Sequence, residues 1–260
     1  MIKLSKIPTK ASKGTSKDDI KIKTTKLVQE IGHLQHALYA ESKQALLVVF
    51  QGMDASGKDG ATKNVFSKCG TIGTDAYGFK RPTSEEFAHD FLWRVHKLSP
   101  AKGFIQIFNR SHYEDILIQR VHNWIDNKQV KVRMDAINAY ETLLEKDNNT
   151  KVLKFYMHIS KERQREKLQK RIDDPKKNWK HKTGDWEETK LWLEYRKAYE
   201  YAINNSIIPW TIVPVDQRWY RDFTIATIIR DTLKNMNPQL PLLTEEDKQA
   251  VIKIQETIKT

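Results

Sequence analysis

Cysteine and long apolar runs are what this sequence has least of. Cys69 is the single cysteine, so no disulfide can form within the chain, which fits a reducing cytosol. The longest purely apolar run, Ala45–Phe50, has six residues, whereas a membrane-spanning helix needs ~20. The first residues, from Met1 to Lys6, contain no apolar stretch like that of a secretion signal. These absences exclude a disulfide-stabilised secreted scaffold and a helical membrane protein, and we expect a cytoplasmic protein without a membrane partner.

Positive charge is what the sequence has in excess. Its 260 residues include 45 lysines and arginines against 33 aspartates and glutamates, which gives a net charge of +12, and the pI is about 9.5. This balance favours an anionic partner without identifying it. Apolar residues make up 39% of the chain and aromatic residues 10%, a composition that argues against disorder. The length allows one large domain or two small ones.

Short apolar runs alternate with helical patterns along the chain. Each run is bounded by polar or turn residues, as is typical of a buried strand. Strands separated by helices predict an α/β fold with three layers, in which a parallel sheet is flanked by helices on both faces. The predicted strands are Ala45–Phe50, Thr71–Phe79, Phe104–Phe108, Val152–Ile159 and Trp210–Val215.

The composition also divides the chain into three segments. Residues 1–26 contain eight lysines and few apolar residues, so we expect a flexible basic arm, with the first helix starting near Leu27. Residues 27–237 hold all the predicted strands and form the predicted main domain. Residues 238–260 are expected to form a tail with one amphipathic helix, which includes Val251, Ile254 and Ile258.

A strongly basic stretch precedes the last strand. Residues 151–182 contain twelve lysines and arginines against four acidic residues. Asp173-Asp174-Pro175 interrupts a helix there, and Asp185 with Glu188 is a cap signature for a second helix running towards Asn205. We therefore expect a helical lid over residues 161–200, inserted in the main domain. Such charge suits a long polyanion but is equally typical of a solvated helix face. The lid cations are Arg163, Arg165, Lys167, Lys170, Arg171, Lys176, Lys177 and Lys180.

A glycine-rich loop follows the first predicted strand. Gly52-Met-Asp-Ala-Ser-Gly57-Lys58-Asp59-Gly60 has the core spacing of a phosphate-binding loop. Its glycines let successive backbone N–H groups converge on phosphate oxygens, and the next helix and the lysine add positive charge. Asp59 stands where that motif usually has a Ser or Thr that binds Mg²⁺, so Asp54, within the loop, is the natural replacement ligand. A turn-forming role is the alternative for Asp54.

A second polar cluster follows the strand Phe104–Phe108. Asn109 ends this strand, where it is suited to hold a metal-bound water, and Arg110 is a forked donor for phosphate oxygens. Glu114 has two candidate roles, because Ser111 and Glu114 also form a capping-box pattern. Asp115 is interpreted as a charge at a helix N-terminus rather than as a ligand.

Together these segments resemble the polyphosphate kinase 2 family. The resemblance implies a P-loop-kinase-like fold with a helical lid. It also implies Mg²⁺-dependent, reversible phosphoryl transfer between inorganic polyphosphate and nucleotides, and a homo-oligomer, either a dimer or a tetramer. The matching segments are GMDASGKDG (52–60), FKRPTSEEFAHDFLWRVH (79–96), FNRSHYED (108–115), HISKERQREKLQKRIDDPKKNWK (158–180) and IIPWTIVPVDQRWYRDF (207–223).

The resemblance also assigns roles to individual residues. Glu114 and the form NRSHYED are similar to the subclass that accepts nucleoside mono- and diphosphates, here AMP and ADP, with GMP and GDP left open. Asp54 would bind the metal or orient the acceptor. The catalytic residues implied are Asp54, Lys58, Arg110 and Arg171. The phosphate-binding residues implied are Gly52, Ala55, Ser56, Gly57, Lys58, Asp59, Gly60, Lys170, Lys177 and Lys180. The nucleotide-binding residues implied are Arg81, Pro82, Thr83, Asn109 and Glu114.

Two other functions fit part of the sequence. An ATP-dependent nucleoside monophosphate kinase shares the loop and the lid but has no need of a long basic track. A basic nucleic-acid-binding protein fits the pI, but it leaves the phosphate loop unexplained, and the sequence lacks the aromatic and basic motifs of common RNA-binding modules. We therefore expect no nucleic acid among the partners.

Overall fold

A computed structural model describes residues 1–258 as five strands and eleven helices, joined by loops and three short 3₁₀ turns. The strands are β1 (Ala45–Gln51), β2 (Thr74–Gly78), β3 (Ile105–Asn109), β4 (Thr150–His158) and β5 (Trp210–Pro214). The helices are α1 (Lys17–Glu41), α2 (Lys58–Val65), α3 (Ser84–Ala88), α4 (Trp93–His96), α5 (Glu114–Val121), α6 (Asn127–Lys146), α7 (Lys161–Asp173), α8 (Thr183–Glu188), α9 (Trp192–Asn205), α10 (Arg218–Met236) and α11 (Glu245–Ile258).

The strands form one parallel sheet in the order β2-β3-β1-β4-β5. Val48 at the centre of β1 lies opposite Ile107 of β3 and Leu153 of β4. Every residue of β1 is buried, as expected for a strand covered on both faces. All five predicted strands are therefore confirmed, with their ends shifted by a few residues.

Helices cover the sheet in two layers. Helices α1 and α2 both pack against α10, whereas α6 and α9 both pack against α5, and α6 also contacts β4. The predicted three-layer architecture is confirmed. Because all strands are parallel, the loops that follow them meet at a single edge of the sheet.

The N-terminal segment differs from the predicted flexible arm. Helix α1 starts at Lys17, well before Leu27, and Ser16 caps it by accepting a hydrogen bond from the backbone N–H of Asp19. The acidic residues of its first turn favour a helix N-terminus among so many lysines. Further upstream, Leu4 is 0% exposed in a 3₁₀ turn. The prediction missed both features because a single apolar residue and a cap give no periodic signal.

The region predicted as a lid is helical but more broken than expected. Helix α7 ends at Asp173, just before Pro175, as the sequence indicates. The predicted single helix from Asp185 to Asn205 is instead two helices, α8 and α9, separated by a 3₁₀ turn at Thr189–Leu191. Asp185 lies inside α8 and does not cap it.

The tail after Pro238 contains the predicted amphipathic helix, α11. Its apolar residues Val251, Ile254 and Ile258 are exposed, and the last two residues of the chain lie outside the described part. Among the helices of residues 1–258, none is both long enough and apolar enough to cross a membrane.

Candidate active site

The phosphate loop connects β1 to α2 at the carboxyl edge of the sheet. Its turn uses left-handed backbone at Ala55 (φ 60°) and Gly57 (φ 98°), and the backbone N–H of Ser56 donates to the carbonyl of Met53 at 3.1 Å. Helix α2 begins directly after Gly57. A turn of this kind before a helix N-terminus gathers backbone N–H groups into a concave anion site, as the glycine spacing predicts.

Lys58 is held at the inside of this loop. Its side-chain Nζ donates to the carbonyl oxygens of Gly52 at 2.7 Å and Met53 at 3.3 Å, and the residue is only 8% exposed. Burial, reinforced by the positive charge of Arg110, lowers the pKa of Lys58 to about 8. The amino group is thus a desolvated cation that neutral carbonyls stabilise only weakly, so phosphate oxygens are the better partners for it.

Arg110 joins the loop to the segment that follows β3. Its guanidinium contacts a carboxylate oxygen of Asp54 at 2.7 Å and one of Glu114 at 3.6 Å. The negative charges of Glu114 and Asp54 outweigh burial and raise the pKa of Arg110 above its ordinary range. Arg110 has a left-handed backbone (φ 64°), and its N–H donates to the carbonyl of Phe50 at 3.0 Å. The backbone conformation and the side-chain contacts together hold the Arg110 guanidinium beside the phosphate loop.

Glu114 lies beside Arg110 and is not a helix cap. Helix α5 begins at Glu114 itself, and Ser111 accepts from the backbone N–H of Tyr113 at 3.2 Å, so the predicted capping box does not form. The carboxylate of Glu114 accepts from the Nε2 of Gln51 at 3.0 Å and faces Arg110. The box was expected because Ser and Glu have the correct spacing; the helix starts too late in the chain for Glu114 to occupy its third position.

Asp59 and Asn109 are bound to each other rather than turned towards the cleft. The amide of Asn109 donates to a carboxylate oxygen of Asp59 at 2.6 Å, and Lys180 lies 3.6 Å from the other oxygen. Although burial acts in the opposite direction, the Asn109 hydrogen bond and the charges of Lys180 and Lys58 lower the pKa of Asp59. This chain of contacts connects the lid to the phosphate loop.

Asp115 has a structural role, which agrees with its interpretation as a helix residue rather than a ligand. Its buried carboxylate lies 3.4 Å from Arg94 and accepts from Gln119 at 2.6 Å. Burial outweighs these partners and raises the pKa of Asp115 to about 6.

Two of the predicted lid cations pair with carboxylates of the lid itself. Arg171 pairs with Asp185 and donates to the carbonyl of Lys180 at 3.3 Å. Burial and the negative charge of Asp54 raise the pKa of Asp185. Lys177 instead pairs with Asp174, and Lys170 is exposed.

Residues 81–83 follow β2 and so leave the sheet at the same edge. Thr83 caps α3 in a capping box: its hydroxyl accepts from the N–H of Glu86 at 3.2 Å, and the Glu86 carboxylate accepts from the N–H of Thr83 at 2.8 Å. Arg81 is exposed and Pro82 half-buried. Their predicted contact with a nucleotide stays a prediction.

Three side chains that the sequence did not single out as site residues donate hydrogen bonds to backbone carbonyls of the loop. The carbonyl of Asp54 accepts from Gln164 at 3.1 Å, that of Ala55 from Lys167 at 3.2 Å and that of Gly57 from Arg221 at 3.0 Å. Burial, then the charges of Arg221 and Arg163, lower the pKa of Lys167 to about 8. The three-residue spacing of Gln164 and Lys167 on one helix face was the available signal.

A cleft opens between the loop and the lid. It is lined by the charged side chains of Asp54, Arg110 and Glu114, and by Glu188, which accepts from the hydroxyl of Tyr195 at 2.6 Å. The remaining lining residues include Ile118, Gln164, Trp192, Tyr195 and Tyr199. Charged groups suited to phosphates and aromatic rings therefore line the same cleft.

The carboxylates of the site are the candidate ligands for a divalent cation. Across residues 1–258, no three His, Cys, Asp or Glu side chains converge into a metal cage. Mg²⁺ does not need one, because it usually binds through one or two carboxylates together with waters and substrate phosphates. Arg110 engages one oxygen of Asp54, and the other can serve as such a ligand. The residues present therefore fit Mg²⁺ held jointly with a phosphate substrate.

Comparison with known proteins gives a consistent result. The sequence profile described as "Polyphosphate kinase 2" matches residues 14–241. The chain is 43% identical over 218 residues to the AMP/ADP-polyphosphate phosphotransferase of Meiothermus ruber, covering 83% of this chain and 81% of that protein. It is 34% identical over 246 residues to the ADP-polyphosphate phosphotransferase of Rhodopseudomonas palustris, covering 89% and 85%. The crystal structure of polyphosphate kinase 2 from Arthrobacter aurescens superposes with a TM-score of 0.91 at 34% identity, covering 96% of this chain and 92% of that one.

Proposed function

This chain belongs to the polyphosphate kinase 2 family, and from that premise we propose that it transfers phosphoryl groups between inorganic polyphosphate and AMP or ADP in a reversible reaction. The relatives named for AMP/ADP-polyphosphate and ADP-polyphosphate phosphotransfer support this donor and these acceptors. Glu114 in the cleft supports the subclass that accepts both mono- and diphosphates.

One observation carries the proposal. Arg110 reaches Asp54 of the phosphate loop at 2.7 Å while it also faces Glu114, so loop, cation and carboxylates line one cleft. Phosphoryl transfer needs little covalent chemistry; it needs in-line positioning and neutralisation of charge. A loop of N–H groups with a buried lysine and a forked arginine supplies both.

In this mechanism the chain's own residues position the phosphates and neutralise their charge. The backbone N–H groups of residues 55 and 57–60, together with the Lys58 side chain, bind the phosphates at one end of the polymer, and Lys58 exchanges its loop carbonyls for phosphate oxygens. Arg110 donates to the transferring group and loses part of its contact with Asp54. Mg²⁺, when bound through Asp54, would neutralise phosphate charge. No general base is required, because the acceptor phosphate oxygen is already anionic, and no covalent enzyme intermediate forms.

The remaining predicted residues take supporting roles in the proposal. Arg171 of the lid assists at the transferring group, and Lys170, Lys177 and Lys180 bind the rest of the polyphosphate chain by charge. Asn109 and Glu114 are proposed to contact the acceptor nucleotide, Asn109 after release from Asp59. Arg81, Pro82 and Thr83 leave the same edge of the sheet and are proposed to contact the nucleotide.

Incubation with Mg²⁺ and long-chain polyphosphate tests the proposal directly. AMP, ADP, GMP and GDP are supplied separately, and products are separated by chromatography. We expect AMP to give ADP and ATP, and ADP to give ATP. Phosphorylation of AMP by ATP, with none from polyphosphate, would instead identify a nucleoside monophosphate kinase.

Omitting the divalent ion, and replacing it with Ca²⁺ or Mn²⁺, tests the choice of metal. From the sequence we also propose that the protein is cytoplasmic and binds no nucleic acid. We propose that it forms a homo-oligomer, either a dimer or a tetramer.

A further inference from the structure

Residues 2–11 form a strap that contacts α9, β4 and the residue that follows β5. This N-terminal strap (residues 2–11) starts on α9, where the backbone N–H of Ile2 donates to Asn204 at 2.7 Å and that of Leu4 donates to Glu200 at 2.8 Å. It continues past β4, where its Ile7 carbonyl is 3.1 Å from the Nε2 of His158. The strap therefore connects elements that lie far apart in the sequence.

The strap ends at Asp216, the residue that follows β5. Thr9 contacts Asp216 twice: its hydroxyl donates to the carboxylate at 2.8 Å, and its carbonyl accepts from the backbone N–H of Asp216 at 3.0 Å. The next residue, Gln217, accepts from the backbone N–H of Ala11 at 2.9 Å. Asp216 is buried, so the hydrogen bond from Thr9 satisfies an oxygen that water does not reach easily.

Asp216 also fixes the start of α7. The second oxygen of its carboxylate accepts from the backbone N–H of Ser160, the N-cap residue of that helix, at 2.9 Å. Its backbone carbonyl accepts from the Nε of Arg163 at 3.1 Å. One carboxylate thus bridges the strap and the first turn of the lid.

The two helices that begin beside Asp216 carry the side chains that bind the backbone carbonyls of the phosphate loop. Helix α7 places Gln164 and Lys167 against the carbonyls of Asp54 and Ala55. Helix α10 places Arg221 against the carbonyl of Gly57. A shift of either helix start therefore moves the groups that set the conformation of the loop.

We propose that Thr9 and Asp216 are positioning residues, through which the N-terminal strap holds α7 in place and preorganises the phosphate loop for its polyanion. Without the strap contact, the loop must be ordered at the moment of binding, and that ordering weakens affinity. The effect falls on KM, because the groups that act on the transferring phosphoryl are unchanged once substrate is bound. The kinetic part of this inference rests on the proposed function.

A pair of matched substitutions tests the proposal. Thr9→Val removes the hydroxyl that reaches Asp216, and Thr15→Val is the control, because Thr15 donates only to the nearby carbonyl of Ser12. Thr9→Ser restores the donor. We expect Thr9→Val to raise the KM for polyphosphate roughly three- to tenfold with kcat changed less than about twofold, and Thr9→Ser and Thr15→Val to remain close to the native protein.

Amide hydrogen exchange gives a readout that does not depend on activity. In Thr9→Val we expect faster exchange in residues 53–57 and 160–167, and in Thr15→Val no change. Gln217→Leu, which removes the side-chain contact to Ala11 at the end of the strap, should produce the same pattern more weakly. A protein without polyphosphate transfer would refute the proposed function but leave the exchange result valid. Unchanged exchange and unchanged KM in Thr9→Val, even with a lower melting temperature, would overturn the positioning role.

Discussion

Lysines occupy two contrasting settings in this molecule. Lys58 and Lys154 are 8% and 1% exposed, and each is held by named oxygen atoms of the protein. Lys170 and Lys176 of the lid are exposed to solvent. Burial lowers the pKa of both Lys58 and Lys154, so the protein keeps these charges at an energetic cost and in fixed positions. We therefore expect the buried lysines to act from fixed positions. The exposed lid lysines are expected to attract the polyanion through their combined electrostatic field.

The largest effect is expected at Lys154, beneath the segment that carries Arg110. Its Nζ donates to the hydroxyl of Tyr113 at 2.7 Å and pairs with Glu141, which also contacts the Nε2 of His112. Lys154→Met removes the cation that balances the charge of the buried Glu141 carboxylate. We expect a loss of about 3–5 kcal/mol in the free energy of unfolding, measured by urea denaturation.

Lys151 on the same strand is the matched control. It pairs with Glu145 at 3.0 Å but its side chain is half exposed, so Lys151→Met should cost less than about 1 kcal/mol. The double variant Lys154→Met with Glu141→Met should recover most of the loss, because no unpaired charge remains. Equal losses for Lys154→Met and Lys151→Met would remove the distinction between the two settings.

Lys58 gives the next largest effect, on activity rather than stability. Lys58→Ala removes a desolvated cation from the phosphate loop, and charge stabilisation of this kind is typically worth about 10²–10³ in rate. We expect kcat/KM for polyphosphate to fall by that factor in a chromatographic transfer assay. Lys63→Ala, on the exposed side of the same helix, should stay within about twofold. Near-normal transfer by Lys58→Ala would refute its assignment.

The sequence predicted the framework of this site because that framework is local. A strand buried on both faces is a continuous apolar run, and the glycine spacing after it places the loop without any knowledge of the fold. The lid helices and the break before Pro175 follow from local rules as well. Local rules failed at the capping box of Ser111 and Glu114, which the late start of α5 prevents, and at the single helix predicted from Asp185, which is divided into α8 and α9.

The supports of the loop could not be predicted in the same way. The contacts of Lys167 with Ala55 and of Arg221 with Gly57 join residues 112 and 164 positions apart. No periodicity or propensity links such pairs, and only the packing of α7 and α10 brings them together. The docking of residues 2–11 is missed for the same reason, because a lysine-rich segment with one buried leucine has the composition of a disordered arm.

A smaller effect, with an unusual sign, concerns pH and stability. The pKa of Lys58 is about 8 in the folded protein and 10.5 ordinarily. Between these values the unfolded chain keeps the proton that the folded chain has lost, so the Lys58 contribution to stability rises with pH. Relative to Lys58→Met, the native protein should gain on the order of 1–2 kcal/mol from about pH 7.5 to pH 9.5. Denaturation of both proteins at each pH measures the difference, and other titrating groups cancel. A difference that stays flat, or falls, would contradict a desolvated Lys58.

The smallest single effects are expected on the lid, where no individual lysine is held in one position. Lys170→Gln combined with Lys176→Gln should raise the KM for long polyphosphate only about two- to fivefold at low salt, and the difference should shrink as salt screens the field. Lys128→Gln combined with Lys131→Gln, at two exposed lysines of α6, is the control with the same change in net charge. Because a summed field depends on how much of the polymer lies under it, a short polyphosphate should show a smaller change than a long one. A large loss that persists at high salt would show that these lid lysines act from fixed positions. An equal loss in the Lys128 and Lys131 double variant would show that the lid lysines do not differ from the rest of the surface.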